Sequence, residues 1–345
     1  MKTETKNLYD EKYEIRLANK KDIPAIMEFI EVNWKHGHIM AVNRRFFEYE
    51  FLEEDGTVNF ILAISRDKGT IEGLNGFLKA SHDKEYLDIW GSIWKVRPGN
   101  MGFLGAEIIK RHMPLTGCRN DIGVGDNPKT AIPVLDRMLK RHTGKMNHYY
   151  MLADRNDFQI AQVAKVPNVE AKSSIANIIE FDNIADLHQQ FDFAKYRNCV
   201  PYKDEWYVDH RFFKHPIYQY SVYGIELESK VDAIFVLRNQ ELQGRTAVRF
   251  VDYIGNQRWF AELGDFFRKL LKTENFEYVD FYCGGFLEKP ILDAGFKLLD
   301  EGDKNIIPNY FGPFLQENID IWFDSSCHET IVTKADADQD RPSYG

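Results

Sequence analysis

Apolar residues first recur at helical spacing over residues 23–34, where Ile23, Ile26, Met27, Ile30 and Trp34 share one face. Residues 13–18 ahead of them read as a short strand, and Asn19 or Asp22 can cap the helix. A polar loop, His36-Gly37-His38, leads to a second amphipathic helix around 44–53. Three strand-like runs follow at 58–65, 70–80 and 86–96, parted by turn residues at 67–69 and 81–83. After Pro98 and Gly99 the period changes and 103–111 reads as a helix. Residues 120–124 form a strand, a helix starts at Asp126 or Asn127 and runs to about His142, and 148–152 is again a strand. The order β-α-α-β-β-β-α-β-α-β predicts a mixed sheet, with hairpins antiparallel and helix-joined strands parallel.

A polar stretch at 166–174 is the best linker candidate, and beyond it the same order restarts. Strands are expected at 175–181, 218–226, 230–237, 245–254, 278–283 and 296–299, with helices at 183–191, 207–213, 257–272 and 288–294. The chain therefore reads as two α/β domains, 1–165 and 172–333, the second a degenerate repeat judged by element order. The polar segment 334–345 reads as a mobile tail.

Composition narrows the functional classes. The 345 residues are 44% apolar and 28% charged, the profile of a soluble globular protein. Lys and Arg number 44 against 53 Asp and Glu, a net charge of −9, so nonspecific DNA binding is not expected. No apolar run approaches the length of a membrane span, and residues 1–15 hold no apolar core of a secretory leader, so a cytoplasmic protein is expected. Cys118, Cys199, Cys283 and Cys327 are widely spaced, which fits isolated thiols rather than zinc ligation or a disulfide framework. No metal site is expected.

The chemistry-bearing motif is the strand–turn–helix Trp94-Lys95-Val96-Arg97-Pro98-Gly99-Asn100-Met101-Gly102-Phe103-Leu104-Gly105. A glycine-rich turn running into a helix lets a diphosphate approach backbone N–H groups. This segment resembles the GNAT superfamily of acyl-CoA N-acyltransferases, whose Arg/Gln-x-x-Gly-x-Gly/Ala turn cradles the CoA pyrophosphate. Residues 121–127 (DIGVGDN) are similar to the family's next strand, which splays from its neighbour to admit the pantetheine arm, and Asn127 resembles its Asn-led helix start. The chain departs from the pattern at Asn100, which replaces the first glycine, and over 132–138, which holds no tyrosine to protonate a leaving thiolate. Tyr149 or Tyr150 would take that part.

The resemblance implies two GNAT-like domains in tandem, with acetyl-CoA or another acyl-CoA bound by the first through Trp94, Val96, Arg97, Gly99, Asn100, Met101, Gly102, Phe103 and Asn127. A backbone N–H near Trp94–Val96 would polarise the thioester carbonyl, and Asp88, Asp126, His36 or His38 would take the amine's proton. The acceptor would be an amine on a small molecule or carbohydrate, met by His36, Arg44 and Arg45, and by Trp206 and Tyr207 of the second domain. Asn33, Trp34, His38 and Phe46 resemble GNAT-like proteins of bacterial surface-polysaccharide gene clusters, which points to an amino sugar. Two alternatives stay open: a Fem-like transferase using aminoacyl-tRNA, and a non-catalytic binding protein on the same fold. A monomer or homodimer is expected.

Overall fold

The structure, a computed structural model, describes residues 7–169 and 172–343. Residues 1–6 of the stretch read for a leader, Glu170 and Ala171 of the linker candidate, and the last two residues of the tail lie outside the described residues. The chain forms two compact units. Of the described residues, the first takes those up to Thr143 together with Phe323–His328 and 341–343; the second takes those of Gly144–Trp322 and Glu329–Asp340. The division thus falls ahead of the segment read as a linker.

In the first unit, α1 (Leu8–Lys12) and β1 (Tyr13–Asn19) precede α2 (Ile23–Asn33), α3 (Ile39–Val42) and α4 (Arg44–Phe51). Then come β2 (Thr57–Ser65), β3 (Ile71–Lys79), β4 (Asp88–Val96), α5 (Leu104–Lys110), α6 (His112–Thr116), β5 (Asn120–Val124), α7 (Ala131–Arg137) and β6 (His142–Lys145). Strands β1 to β4 are successive antiparallel neighbours, whereas β4 and β5 are parallel because α5 and α6 cross between them. On one sheet face, Ile26, Phe29 and Ile30 of α2 and Phe46, Phe47 and Phe51 of α4 pack against Phe60 and Leu74. On the other, Leu104 and Ile108 of α5 pack against Phe77 and Ile89. Each such large side chain contributes roughly 1.5–3 kcal/mol on full burial. The helix expected to reach His142 is shorter, because β6 begins there.

The second unit begins with β7 (Asn147–Leu152), then β8 (Asn177–Phe181), α8 (Ile184–His188), α9 (Glu205–Val208), β9 (Ser221–Leu227), β10 (Lys230–Leu242) and β11 (Arg245–Gly255). A 3-10 helix (Gln257–Leu263), α10 (Gly264–Leu270), β12 (Phe276–Gly284), α11 (Glu288–Asp293), β13 (Lys297–Leu298) and the small hairpin β14 (Tyr310–Phe311) and β15 (Phe314–Leu315) follow. The last strands are β16 (Trp322–Ser325) and β17 (Val332–Thr333).

The two large sheets run β1-β2-β3-β4-β5-β16-β6 and β13-β7-β12-β11-β10-β9-β8. The strand at 148–152, expected to end the first domain, instead lies in the second sheet, with Tyr149 opposite Phe281 of β12. Its place beside β5 is taken by β16, where Asp324 faces Gly123.

The tail read as mobile is packed. Lys334, Asp336 and Asp340 are each at most 3% exposed. Their charges are paired rather than solvated: Asp336 lies 2.6 Å from Lys203 and Asp340 lies 2.6 Å from Arg238. All four cysteines are free thiols. Among the described residues no helix is long and apolar enough to cross a membrane, and no group of three or more His, Cys, Asp or Glu is disposed to hold a metal ion.

Candidate active site

The parallel pairing of β4 with β5 runs from Asp88–Asn120 to Gly91–Gly123 and ends there. β4 continues to Val96, and where the pairing ends Arg341 Nη2 donates to Ser92 Oγ at 3.0 Å. On its other side it stays on β3, where Asn75 faces Trp94 and Phe77 faces Gly91. Between those pairs β3 advances two residues and β4 three, so Ser92 and Ile93 form a bulge that bends β4. The two strands therefore part beyond Gly91 and Gly123.

The loop at the end of β4 is held in shape by side chains. Gly99 has φ +81°, a backbone state that glycine adopts without strain. Asn100 Nδ2 donates to the carbonyls of Glu72 and Arg97, each at 3.1 Å. Tyr13 Oη donates to Asn100 Oδ1 at 3.3 Å and accepts from the Met101 N–H at 3.2 Å. Tyr9 Oη donates to the Gly102 carbonyl at 2.7 Å. Asn100 is thus the clamp of the turn, and Met101 spends its N–H on Tyr13. Phe103, with φ +61°, leads into α5 and is largely exposed. Among the described residues a Cβ on Gly102 would meet nothing within 4 Å. A Cβ on Gly105 would stand 3.0 Å from Trp94 Nε1, so a larger residue there requires the Trp94 ring to shift. Val96 packs into the α5 core. Arg97 lies over the Phe29 ring at 5.4 Å, and its buried Nε has no hydrogen-bond partner among the described residues. A guanidinium beside an exposed glycine turn suits an anionic ligand.

The second unit repeats the split and fills it. β11 pairs in parallel with β12 from Thr246–Phe276 to Phe250–Phe281. Beyond that point β17 pairs with the end of β12, Thr333 facing Cys283 and Val332 facing Gly284. The Ala335 N–H then donates to the Val251 carbonyl at 2.7 Å. Lys203 lies under this segment, 2.6 Å from both Asp252 and Asp336. A cavity of about 760 Å³ lies at the other end of β12, near Phe276, Arg268 and Lys272, and Tyr150 alone of the candidate residues lines it.

Several expected site residues are committed elsewhere. Asp88 is fully buried, bound by Arg119 through Nε at 3.1 Å and Nη2 at 2.5 Å, and by Asn120 at 2.8 Å. It begins β4, and Arg119 and Asn120 occupy both its oxygens there. His38 Nδ1 accepts from the Met40 N–H at 3.2 Å and caps α3, which leaves the ring proton on Nε2. Burial, then Arg341 and Lys35, hold its pKa down at about 4, so it is a neutral donor. His36 is exposed and pairs with Glu31. Arg44 pairs with Glu48 at 2.8 Å on the solvated side of α4, and Arg45 is exposed. Asn127 Oδ1 accepts from the N–H groups of Lys129 and Thr130, which makes it the cap of the turn before α7.

Tyr149, Trp206 and Tyr207 belong to the second unit. Tyr149 is buried in its core, where desolvation pushes its pKa up to about 12. Trp206 stacks on His210 at 5.1 Å. Tyr207 is buried, and its hydroxyl donates to Asp252 at 3.4 Å.

Sequence reasoning missed a buried ionic cluster beside the split. Asp121 of β5 lies 3.0 Å from His112 Nδ1 and 2.8 Å from Arg141 Nη1. Arg141 Nε also binds Asp324 of β16. Burial alone would raise the Asp121 pKa, but Arg141 and His112 outweigh it and hold it at about 2. Asp324 is pushed the other way by burial, which exceeds the help from Arg141. It lies 203 positions beyond Asp121 in the chain, so no local pattern announces the pairing.

No family model matches the chain, and no curated protein matches it. Solved structures do. A GCN5-related N-acetyltransferase from Anabaena variabilis ATCC 29413 superposes with a TM-score of 0.56 at 8% identity, covering 91% of this chain and 72% of that one. The fold is that of the GCN5-related N-acetyltransferases. A conserved protein of unknown function from Enterococcus faecalis V583 matches with a TM-score of 0.53 at 10% identity, over 91% of this chain and 71% of that one. Likeness at such identities establishes the acetyltransferase fold and leaves the reaction to be argued from the site.

Proposed function

We propose that this protein transfers an acyl group from an acyl-CoA to an amine, with the first unit holding the donor. The observation that carries the reading is the parting of β4 from β5 beyond Gly91 and Gly123, together with the Arg97–Phe103 turn that follows β4. The diphosphate would lie against the turn at Gly99 to Phe103 with Arg97 beside it. The pantetheine arm would follow residues 93–96 of β4, where a fixed backbone N–H would polarise the thioester carbonyl without reorganising. The second unit, its split occupied by β17, would take no donor and would serve the acceptor side. An amino group on a small molecule or a sugar is the acceptor we favour, with acetyl or another short acyl group transferred in the cytoplasm. The net charge of −9 speaks against an aminoacyl-tRNA donor, which needs a basic surface.

The test is isothermal titration of acetyl-CoA into the wild type and into Gly102→Glu. The added side chain has room to fold, so it acts on the ligand through bulk and charge. Micromolar binding by the wild type and none by the variant is expected. Absence of binding by the wild type overturns the reading.

A further inference from the structure

Lys334 buries an amine with nothing to receive its protons. It directly follows β17 in the second unit and is 3% exposed. Among the described residues its Nζ makes no hydrogen bond and no ion pair. Its polar surroundings begin with two rings, Tyr282 with its centroid at 5.7 Å and Tyr310 at 5.9 Å, the outer limit of a cation–π contact. An ammonium held in this way is costly, and the favoured state is the neutral amine. Burial, ahead of the Arg249 charge, accordingly holds the pKa at about 7. A neutral lysine amine is a nucleophile.

The groups around this amine suit a negative charge. Arg249 pairs with Asp280 at 2.8 Å, and Arg238 with Asp340 at 2.6 Å. Asp340 also takes Arg211 Nη2 on its carbonyl at 2.9 Å, so two carboxylates stand among three guanidiniums. Asp252 and Asp336 are held by Lys203. His148 has Nε2 against Asp280 at 3.1 Å, and burial lowers its pKa, so it adds no positive charge. Asn309 accepts from Arg249 at Oδ1, while its buried Nδ2 has no acceptor among the described residues. A stranded N–H donor and an added guanidinium together call for an anion. Carbon dioxide is the small, uncharged reagent that turns an amine into one, and the ring of Tyr310 over the amine is 39% exposed.

We propose that Lys334 reacts with carbon dioxide to form a carbamate, which fixes β17 in the second sheet. The Nζ lone pair bonds to the carbon of CO2, one C=O electron pair moves onto oxygen, and one N–H proton is lost to solvent. Nothing is oxidised or reduced. The new carboxylate accepts from Asn309 Nδ2 and balances the guanidiniums. The modification lies in the second unit and does not depend on the acyl-transfer reading.

The experiment is carbon NMR of the full chain, with lysine labelled in its side-chain nitrogen, at pH 8 under 13C-labelled carbon dioxide and bicarbonate. Wild type, Lys334→Met and Lys334→Arg are compared, with folding checked by circular dichroism. In the wild type one carbonyl resonance is expected to be split by one-bond coupling to 15N and to resist broadening by a paramagnetic agent in the solvent. That resistance separates it from carbamates on surface lysines. Both variants should lose it entirely. Added carbon dioxide at fixed pH should also raise the urea unfolding midpoint of the wild type and leave that of Lys334→Met unchanged. A wild type without a split, shielded resonance overturns the proposal, and so does a resonance that survives in either variant. An unsplit, shielded resonance means bicarbonate held as an ion and overturns it too. If neither variant folds, the wild-type spectrum and midpoint decide: an absent resonance or an unmoved midpoint overturns the carbamate.

Discussion

The two large sheets follow one plan and part company at one place. In each, a long strand runs parallel to its successor for a few residues and then diverges. Between β4 and β5 the pairing ends at Gly91 and Gly123, and Arg341 reaches Ser92 just beyond. Between β11 and β12 the chain's own β17 pairs into the divergence, backed by Lys203, Asp252 and Asp336. The lesson is that a similar divergence of strands can be closed or left to a loop by elements far away in the chain. A two-residue strand and a buried ion network occupy the one between β11 and β12, while a turn clamped by Asn100, Tyr13 and Tyr9 follows β4 at the other.

The strongest way to break this comparison is at the filled split. Lys203→Met strands Asp252 and Asp336 in the interior without their cation. A loss of about 3–5 kcal/mol is expected in urea unfolding, with acetyl-CoA affinity kept by the protein that remains folded. A cost under about 1 kcal/mol would mean that the ion network does not hold β17 in place.

A second effect of the packed tail is a pH dependence. Burial, then Arg249, lowers the Lys334 pKa to about 7, against about 10.4 in an unfolded chain. A lowered folded-state pKa gives stability that is complete above the unfolded value and is lost as pH falls through the folded one. Wild-type stability should therefore drop by about 2 kcal/mol between pH 9 and pH 6 on this account. Lys334→Met should flatten that part of the profile, measured as unfolding free energy against pH.

The open side is probed by Tyr13→Phe. It deletes the hydroxyl that joins Asn100 and Met101, and should cost about 1–2 kcal/mol of stability and weaken acetyl-CoA binding several-fold. Unchanged affinity would show that the loop keeps its shape without the clamp.

Much of each sheet was legible locally. Alternation and helical spacing place β2, β3, β4 and α5 close to their observed bounds, and the element order of the second half also holds, because these elements bury one face each. The Gly99–Gly102 turn was legible for the same reason: punctuation by Pro98 and Gly99 is a local signal. What failed was non-local. Nothing in the sequence around His148–Leu152 says which sheet its edge will join, and β16 gives no sign that Asp324 ends beside Gly123. The tail misled because its aspartates read as solvated, whereas Asp336 and Asp340 are buried against Lys203 and Arg238. The partners of Asp88 were hidden in another way: Arg119 and Asn120, which bind its carboxylate, lie more than 30 positions on. Tyr9 and Tyr13 carried no motif, since their role depends on a loop some 90 positions away.

Hydrogen exchange of the full chain with and without acetyl-CoA tests the central claim most directly. The account predicts slowed exchange over residues 92–104 on adding the ligand and no change over residues 251–257. Protection at residues 251–257, or no protection at either segment, would contradict it.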